Sequence, residues 1–151
     1  MKLLTANFLS CPLRTCRSSP LAFPLHFRDC EIVRIDDTPA PAPTDSTVPT
    51  SADGPWDASK LAFTIGILKR VEWDALRTSA GELGFTDLPV EKPDGEAMVG
   101  LGEEGEAVLR RCWEVLVRTE VTEGALVCGG CGHEFRIFGG IANFLVPGHL
   151  V

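Results

Sequence analysis

The sequence predicts an α+β fold in which a small zinc-binding β domain is built from both termini and a helical lobe is inserted between them. Cys128 and Cys131 form a C-x2-C pair near the C-terminus, and Cys11 and Cys16 form a C-x4-C pair near the N-terminus. If both pairs bind one ion, the two ends of the chain must meet, and everything between them is an insertion. The middle of the chain carries apolar residues at helical spacing, whereas segments near both ends show strand-like patterns.

This organisation gives three predicted parts. Residues 1–35 and 120–151 together form the zinc-binding domain, residues 36–56 form a mobile linker, and residues 57–119 form the helical domain. The linker is rich in Pro, Thr, Ser and Asp, so we expect none of it to be buried. A chain of 151 residues with 44% hydrophobic residues is large enough for a small domain with an inserted lobe.

Short strands are predicted near both ends of the chain. Residues 1–9 and 29–35 are the N-terminal candidates. Residues 134–138 alternate polar and apolar side chains, as a half-buried strand does. The two glycines that follow are expected to turn the chain, and residues 141–146 form the last predicted strand.

Three helices are predicted between these strands, since apolar residues recur there at spacings of three and four. Polar or acidic first residues and a glycine after the second helix are typical start and stop signals. The segment between the second and third helices, residues 85–101, is predicted to be a loop. The first helix begins at Asp57 or Ser59 and carries Leu61, Ile65 and Leu68 on its apolar side, the second runs from about Glu72 to Leu83 before Gly84, and the third runs from about Glu103 to Arg118.

The spacing within each cysteine pair favours one structural metal site made from Cys11, Cys16, Cys128 and Cys131. Zinc prefers four soft ligands in a tetrahedron, and structural sites collect them from such pairs. The long separation between the pairs is unusual for a simple zinc ribbon, so buried free thiols or a disulfide are alternatives at this point. Four cysteine ligands would close the coordination shell, and a closed site folds a domain but does not activate water.

The other candidate ligands fit other roles better. Cys112 lies in an apolar helical pattern and Cys30 lies in a predicted strand, so both are expected to pack as small apolar residues. His133 follows Cys131 by two residues, and we expect it beside the site or at the surface.

The net charge of −7 is unevenly distributed along the chain. Residues 1–34 carry five basic and two acidic side chains, whereas residues 35–123 carry eight basic and eighteen acidic ones. The N-terminal excess can contact phosphate as part of a larger surface, but it is too small to bind RNA by itself.

The first residues and the cysteine content indicate a protein of a reducing compartment that has no membrane-spanning segment. The apolar run at residues 1–9 is broken by Thr5 and Asn7, and Pro12 follows at once, so we do not expect a signal peptide. No run approaches the roughly 20 apolar residues that span a bilayer. Six cysteines without a leader are typical of the cytosol or nucleus, so a cytoplasmic and nuclear protein with no membrane partner is expected.

Residues 100–105 match the nucleotide-binding pattern G-x-G-x-x-G letter for letter. No strand is predicted before them to aim the loop, and the two glutamates within the pattern would repel a phosphate. We therefore interpret these residues as the acidic start of a helix. The three histidines are scattered along the chain without a signature that pairs one with a nucleophile, so no catalytic residue is predicted.

Taken in order, several segments resemble the eukaryotic multifunctional methyltransferase activator subunits, the tRNA methyltransferase 112 family. The resemblance runs from the first residue to the last and is interrupted mainly in the linker. The chain departs from the family pattern in its longer linker and at Ala142, where the family usually has proline. The matching segments are residues 1–9 with Cys11 and Cys16, then residues 23–25, 71–73, 80–84, 123–124, 128–133, 140–145 and 147–151.

The resemblance implies a fold and a metal site. In this family the two termini build a zinc-binding domain around a small sheet, and the middle forms a helical lobe. Members of the fungal type bind one structural zinc ion through cysteines that match Cys11, Cys16, Cys128 and Cys131.

The resemblance also implies a function. Such a protein is not an enzyme but a heterodimeric partner of class I S-adenosylmethionine-dependent methyltransferases that modify tRNA, rRNA and a translation release factor. S-adenosylmethionine is bound by the partner enzyme alone, and RNA is bound only through the partner complex. A terminal strand would pair with an exposed sheet edge of the enzyme while its side chains fill apolar pockets. The expected partner-binding residues are Leu4, Phe8, Ile141, Asn143, Phe144 and Leu145, of which Phe144 and Leu145 have an alternative role in the chain's own core.

Two other functions are alternatives. An independent RNA-binding zinc module is suggested by the cysteine-rich knuckle together with Arg14, Arg17, Arg28 and Arg34. A thiol redox or metal-transfer protein is suggested by the C-x-x-C pair, but the βαβ surroundings typical of that class are not predicted here.

Overall fold

The computed structural model describes residues 1–34 and 56–150. The predicted linker at residues 36–56 lies outside the described residues, except for Trp56. Short 3-10 turns lie at Arg14–Cys16, Pro20–Ala22 and Gly148–Leu150. The described helices are α1 (Leu3–Ala6), α2 (Ala58–Leu68), α3 (Trp73–Glu82), α4 (Gly95–Gly100) and α5 (Glu103–Trp113, continued by a π-helical turn at Glu114–Arg118), and the strands are β1 (Leu25–Arg34), β2 (Thr119–Cys128), β3 (Glu134–Phe138) and β4 (Ile141–Ala142).

The four strands form one antiparallel sheet in the order β1-β2-β3-β4. β1 and β2 pair from Leu25 opposite Cys128 to Arg34 opposite Thr119, with α2 to α5 between them in sequence. β2 and β3 are joined by the cysteine knuckle, residues 128–133. The combination of helices with an antiparallel sheet confirms the predicted α+β class.

A bulge interrupts the pairing of β1 with β2 near Asp29 and Cys30. Asp29 has a φ of 49°, which few residues other than glycine adopt. Gly124 lies against the bulge, and a Cβ atom there would be 2.5 Å from Cys30 Sγ and 2.8 Å from its Cα. A glycine is therefore required for the two strands to approach each other at this point.

The N-terminus is held against the middle of β2. The ammonium group of Met1 donates to the carbonyl oxygen of Val121 at 2.6 Å, and the amide of Val121 donates to the Met1 carbonyl at 2.8 Å. Gly140, in the turn between β3 and β4, donates to the Thr122 carbonyl at 2.8 Å. Segments from both ends of the chain therefore meet on one strand.

The prediction of a strand at residues 1–9 is wrong. Lys2 forms only an isolated bridge to β2, and the next four residues form the single helical turn α1. This turn buries Leu3 and Ala6, which are three residues apart, whereas a strand would point them to opposite faces. Burial of both side chains favours the helical turn.

Two other predicted strands differ in length from the strands in the structure. β1 begins at Leu25 rather than at residue 29, and the last strand is shorter than the predicted 141–146. The glycines at 139 and 140 have φ angles of 55° and 78°, as a type I′ turn requires. β4 ends where Asn143 bends the chain, since its side chain accepts a hydrogen bond from the amide of Leu145 at 2.9 Å.

The three predicted helices are confirmed, with small shifts at their ends. Asp57 caps α2 by accepting hydrogen bonds from the amides of Ser59 and Lys60, and Gly84 follows α3 with a φ of 89°. The last predicted helix corresponds to α5 with its π-helical turn, which together span residues 103–118.

Residues 85–101, predicted to be a loop, contain the short helix α4. Asp94 caps it by accepting hydrogen bonds from the amides of Glu96 and Ala97 at 2.9 and 3.4 Å. Gly95 packs against α2, where a Cβ atom would lie 2.8 Å from Ile65 Cγ1. Contact with α2 therefore stabilises a helix whose length and two glycines give it little intrinsic stability.

One hydrophobic cluster runs through the helices and the sheet. It includes Leu126 and Phe135 from the sheet, Leu76 from α3 and Leu109 from α5, all of which are buried. The two predicted domains share this core. The division of the chain into a zinc-binding domain and a helical domain stays a prediction. None of the helices in the described ranges is long and apolar enough to cross a membrane.

Candidate metal centre and exposed apolar edge

Three local structures bring the four predicted cysteines together. Cys11 follows α1, and Cys16 ends the first 3-10 turn. Cys128 ends β2, and the knuckle folds back there because the amide of Gly132 donates to the Cys128 carbonyl at 2.8 Å. This reversal of the chain places Cys131 beside Cys11.

The four sulfur atoms lie close enough together to share one metal ion. Cys11 Sγ lies 3.8 Å from Cys131 Sγ, Cys16 Sγ lies 3.7 Å from Cys128 Sγ, and all four atoms lie within 4.8 Å of one another. A zinc–sulfur distance of about 2.3 Å gives a tetrahedron with edges of about 3.8 Å. The donor set therefore fits a structural zinc ion, and none of the four cysteines is in a disulfide.

The surroundings of the sulfurs shift the pKa values of the individual thiols in different directions. Burial raises the pKa of Cys11 to about 12. Burial also disfavours the Cys128 thiolate, but hydrogen bonds from the backbone of Cys131 and Gly130, together with those from the Cys131 and Cys11 thiols, outweigh this effect and lower the pKa of Cys128 to about 7. Because a thiolate is the form that binds metal, these backbone hydrogen bonds prepare one ligand of the site.

The remaining cysteines and His133 lie outside this group, as predicted. Cys112 is fully buried in α5, where burial raises its pKa to about 11. Cys30 is half-buried at the β1 bulge and packs against the core. The ring of His133 lies 4.8 Å from the ring of Phe135, so the histidine packs on the sheet beside the cluster.

Two of the predicted partner-binding residues pack within this chain. Leu4 lies in α1 and is half-buried against the core. Phe144 is also half-buried, and its ring stacks on Phe135 with 4.5 Å between the ring centroids. Much of the Phe144 side chain therefore packs in the chain's own core, which is the alternative to partner binding for this residue.

The other four predicted partner-binding residues are exposed. Ile141 in β4 is 74% exposed, and Leu145 beyond it is 91% exposed. Asn143 between them is also exposed, and Phe8, just after α1, is 58% exposed. Exposed apolar side chains that form a contiguous patch mark a surface that another protein can cover.

Sequence analysis missed a further exposed aromatic residue, Phe138. It pairs directly with Ile141 across the turn and is 79% exposed. The signal was present in the alternation of β3, which buries Phe135 and Ile137 and leaves Phe138 outside. The tip of the β3–β4 hairpin is therefore an apolar surface.

The two edges of the sheet differ. At the β1 edge, Glu82 of α3 accepts a hydrogen bond from the Phe27 amide at 2.7 Å and lies 2.6 Å from Nδ1 of His26. The bulge at Asp29 also disrupts this edge, and both devices hinder the addition of another strand. At the opposite edge, β4 pairs with no further strand in the described part of the chain.

Residues 100–105, which match the nucleotide-binding pattern, span the last residue of α4, a two-residue turn and the start of α5. α5 begins at Glu103, and its first turn contains three glutamates. A helix precedes the pattern where a nucleotide site needs a strand. The interpretation of these residues as an acidic helix start is confirmed.

Comparison with known proteins gives matches along the whole chain. The family model described as Trm112p-like protein matches residues 2–140. The multifunctional methyltransferase subunit trm112 of Neurospora crassa is 38% identical over 151 residues, which cover 100% of both chains. The protein of the same name from Schizosaccharomyces pombe is 40% identical over 146 residues, 97% of this chain and 96% of that one. The multifunctional methyltransferase subunit TRM112 of Saccharomyces cerevisiae is 33% identical over 154 residues, 100% of both chains.

Proposed function

This chain belongs to the Trm112p-like protein family, and we propose that it is a non-catalytic subunit that activates and stabilises S-adenosylmethionine-dependent methyltransferases. Its relatives are named multifunctional methyltransferase subunits, which favours this role over an independent RNA-binding module. The observation that carries the proposal is this full-length similarity in a chain whose sheet, in the described residues, has an apolar edge that no further strand covers.

The proposed partners are class I methyltransferases that act on tRNA, rRNA and a translation release factor, each in a heterodimer with this chain. The partner enzyme alone would hold S-adenosylmethionine, and RNA would be bound through the assembled complex. We place these complexes in the cytoplasm and the nucleus.

We propose that Cys11, Cys16, Cys128 and Cys131 hold one structural zinc ion. Two of their Sγ–Sγ distances, 3.7 and 3.8 Å, match the edges of a zinc tetrahedron, and all four atoms lie within 4.8 Å of one another. Structural zinc contributes an apparent ~10–16 kcal/mol to the folding of small metallo-domains. Four thiolates leave no open coordination position for a substrate, so this ion would stabilise the fold and the β2–β3 connection rather than catalyse a reaction.

The partner would bind at the β4 edge. Backbone groups of β4 are available to pair with an exposed strand of the enzyme, while Ile141 and Leu145 enter apolar pockets on its surface. Such an edge on the free enzyme invites aggregation, and covering it keeps the enzyme soluble. Because residues 1–9 form no strand, Leu4 and Phe8 would contribute only side-chain contacts.

Activation then follows from mass action. A subunit that binds only the folded enzyme shifts the folding equilibrium towards that form, by RT ln(1 + [L]/Kd). Ordering the enzyme also orders the loops that hold S-adenosylmethionine. This chain thus needs no catalytic residue of its own.

Co-expression tests the proposal. Candidate class I methyltransferases from the same source are expressed with and without this chain, and soluble yield, co-purification and methyl transfer are measured. We expect equimolar complexes and a large gain in soluble, active enzyme. If no methyltransferase co-purifies and none becomes more active, the proposed function is wrong.

A further inference from the structure

Two arginines project from the turn that carries a cysteine of the cluster. Arg14 begins the 3-10 turn that ends at Cys16, and the amide of Arg17 donates to the Arg14 carbonyl at 3.4 Å. In a 3-10 helix, residues three apart lie directly above one another. Arg14 and Arg17 therefore extend from the same side of the turn, and both are exposed.

These arginines have no acidic neighbours to neutralise them in the described residues. Neither forms an ion pair there, and residues 1–28 contain no aspartate or glutamate. Glu134, the first acidic residue after the knuckle, is already paired with Arg28. Within the described residues no carboxylate pairs with either arginine, and the negative charge placed beside them is that of the cysteine cluster, in which four thiolates and one zinc ion would carry about −2.

The surface next to the arginines is nearly free of side chains. A Cβ atom on Gly130 would lie 3.3 Å from Ser19 Oγ and 3.6 Å from Cys16 Sγ, so the knuckle packs against the same turn. Three of the four exposed knuckle residues, 129–132, are glycines. A bulky polyanion can therefore approach Arg14 and Arg17 without a steric barrier from the knuckle.

We propose that Arg14 and Arg17 bind backbone phosphates of the RNA substrate while the partner methyltransferase holds the reacting base. This inference rests on the proposed function, since the partner supplies most of the RNA affinity. Guanidinium groups bind phosphate oxygens in a bidentate manner, which suits two neighbouring arginines to successive phosphates. The acidic remainder of the chain repels RNA, so it orients the complex with this end towards the substrate.

Arg14 and Arg17 lie apart from the hairpin tip that would contact the enzyme. The knuckle precedes the first residue of β3, whereas Phe138 and Ile141 lie at the other end of that strand. Five strand residues separate these ends by about 13 Å. One end of the sheet can thus contact RNA while the other contacts the enzyme.

The test uses Arg14→Glu, Arg17→Glu and the double variant, each assembled with an RNA-methylating partner from the co-expression experiment. Arg70→Glu is the matched control, because Arg70 is equally free of ion pairs in the described residues and is exposed beyond α2. The rate of methyl transfer to an in vitro transcribed tRNA is measured at two salt concentrations. We expect KM to rise about threefold for each single variant and about tenfold for the double variant, with kcat unchanged and a smaller effect at high salt.

Three further readouts decide the interpretation. Zinc content and methylation of the release factor by its own partner complex are expected to stay unchanged in the double variant. Loss of zinc would mean that the arginines only offset thiolate charge. An equal loss of methyl transfer to the release factor would mean that the arginines contact the enzyme. Either result overturns the inference, and so does an unchanged KM for the tRNA. Failure of the parent chain to assemble with any methyltransferase would overturn the proposed function as well.

Discussion

Cys16 Sγ and Cys128 Sγ lie 3.7 Å apart although the two residues are 112 positions apart in the sequence. The contact joins the first 3-10 turn to the end of β2. A metal ion held there closes a very long loop, and closing such a loop removes much entropy from the unfolded chain. The site is therefore expected to act mainly on stability.

Replacement of one cluster cysteine tests this expectation. Cys128→Ser is expected to lose one zinc ion per chain and to lower the free energy of unfolding by more than about 5 kcal/mol, since a structural zinc ion contributes ~10–16 kcal/mol in small metallo-domains. Metal analysis by mass spectrometry and thermal unfolding by circular dichroism measure both effects. Cys30→Ser, outside the cluster, is the control and should retain zinc. A Cys128→Ser variant with a full complement of zinc would contradict the proposed ligand set.

The apolar edge can be tested without disturbing the core. Ile141→Asp is expected to abolish co-purification with a methyltransferase, because a buried unpaired carboxylate at the interface costs several kcal/mol. Val90→Asp is a matched control, since Val90 has the same 74% exposure as Ile141 but lies between α3 and α4. Pull-down of co-expressed enzyme measures the effect. Equal loss with both variants would indicate a general effect of charge rather than a specific interface.

Gly124 is expected to tolerate no side chain. Gly124→Ala places a Cβ atom against Cys30 and the Asp29 carbonyl oxygen at a φ of 135°, so it should lower the free energy of unfolding by about 2–5 kcal/mol. Gly81→Ala, in α3 with nothing within 4 Å of the new atom, should raise it by about 0.5–1 kcal/mol. Denaturant unfolding measures both values. A neutral Gly124→Ala variant would show that the bulge adapts.

The ion pair between Asp87 and Arg111 predicts a defined pH dependence. Two hydrogen bonds of 2.6 and 2.9 Å from Arg111 hold the pKa of Asp87 below its ordinary value. A lowered pKa in the folded state means that the pair stabilises the protein above the pKa of the unfolded chain and loses this effect as the pH falls through the folded value.

Asp87→Asn should therefore lower the free energy of unfolding at pH 7 by at most about 1 kcal/mol, because the carboxylate is largely exposed and screened. The difference between variant and parent should disappear once the pH falls below the folded-state pKa of Asp87, where the parent carboxyl group is also protonated. Denaturant unfolding at several pH values measures the difference. Glu91→Gln, which removes an exposed carboxylate without an ion pair in the described residues, is the control for the loss of one charge.

The features that sequence analysis predicted correctly are governed by local rules. The C-x4-C and C-x2-C spacings place the two sulfurs within each pair close together, and Asp57 and Gly84 mark helix ends through hydrogen bonds and a positive φ close to them in sequence. The acidic first turn of α5 follows the helix dipole in the same way. Such signals need no knowledge of distant residues.

The features that it missed depend on contacts that are distant in sequence. Residues 1–9 have a strand-like composition but contain a helical turn. Two 3.0 Å hydrogen bonds between the Asn7 side chain and the backbone of Glu72 hold the end of this turn in place. α4 forms because Gly95 packs on α2. Glu82 covers the edge of β1 from a helix 55 residues further along the chain. No spacing rule carries this information.

The Glu82 carboxylate at the β1 edge has a consequence for stoichiometry. With that side closed, β4 is the edge left for strand addition among the described residues, so under the proposed function one copy of this chain would serve one methyltransferase at a time. Enzymes that modify different substrates would then compete for a shared pool of the subunit. Overproduction of one enzyme would deplete the others of their partner, which links the modification of separate RNAs and proteins through supply alone.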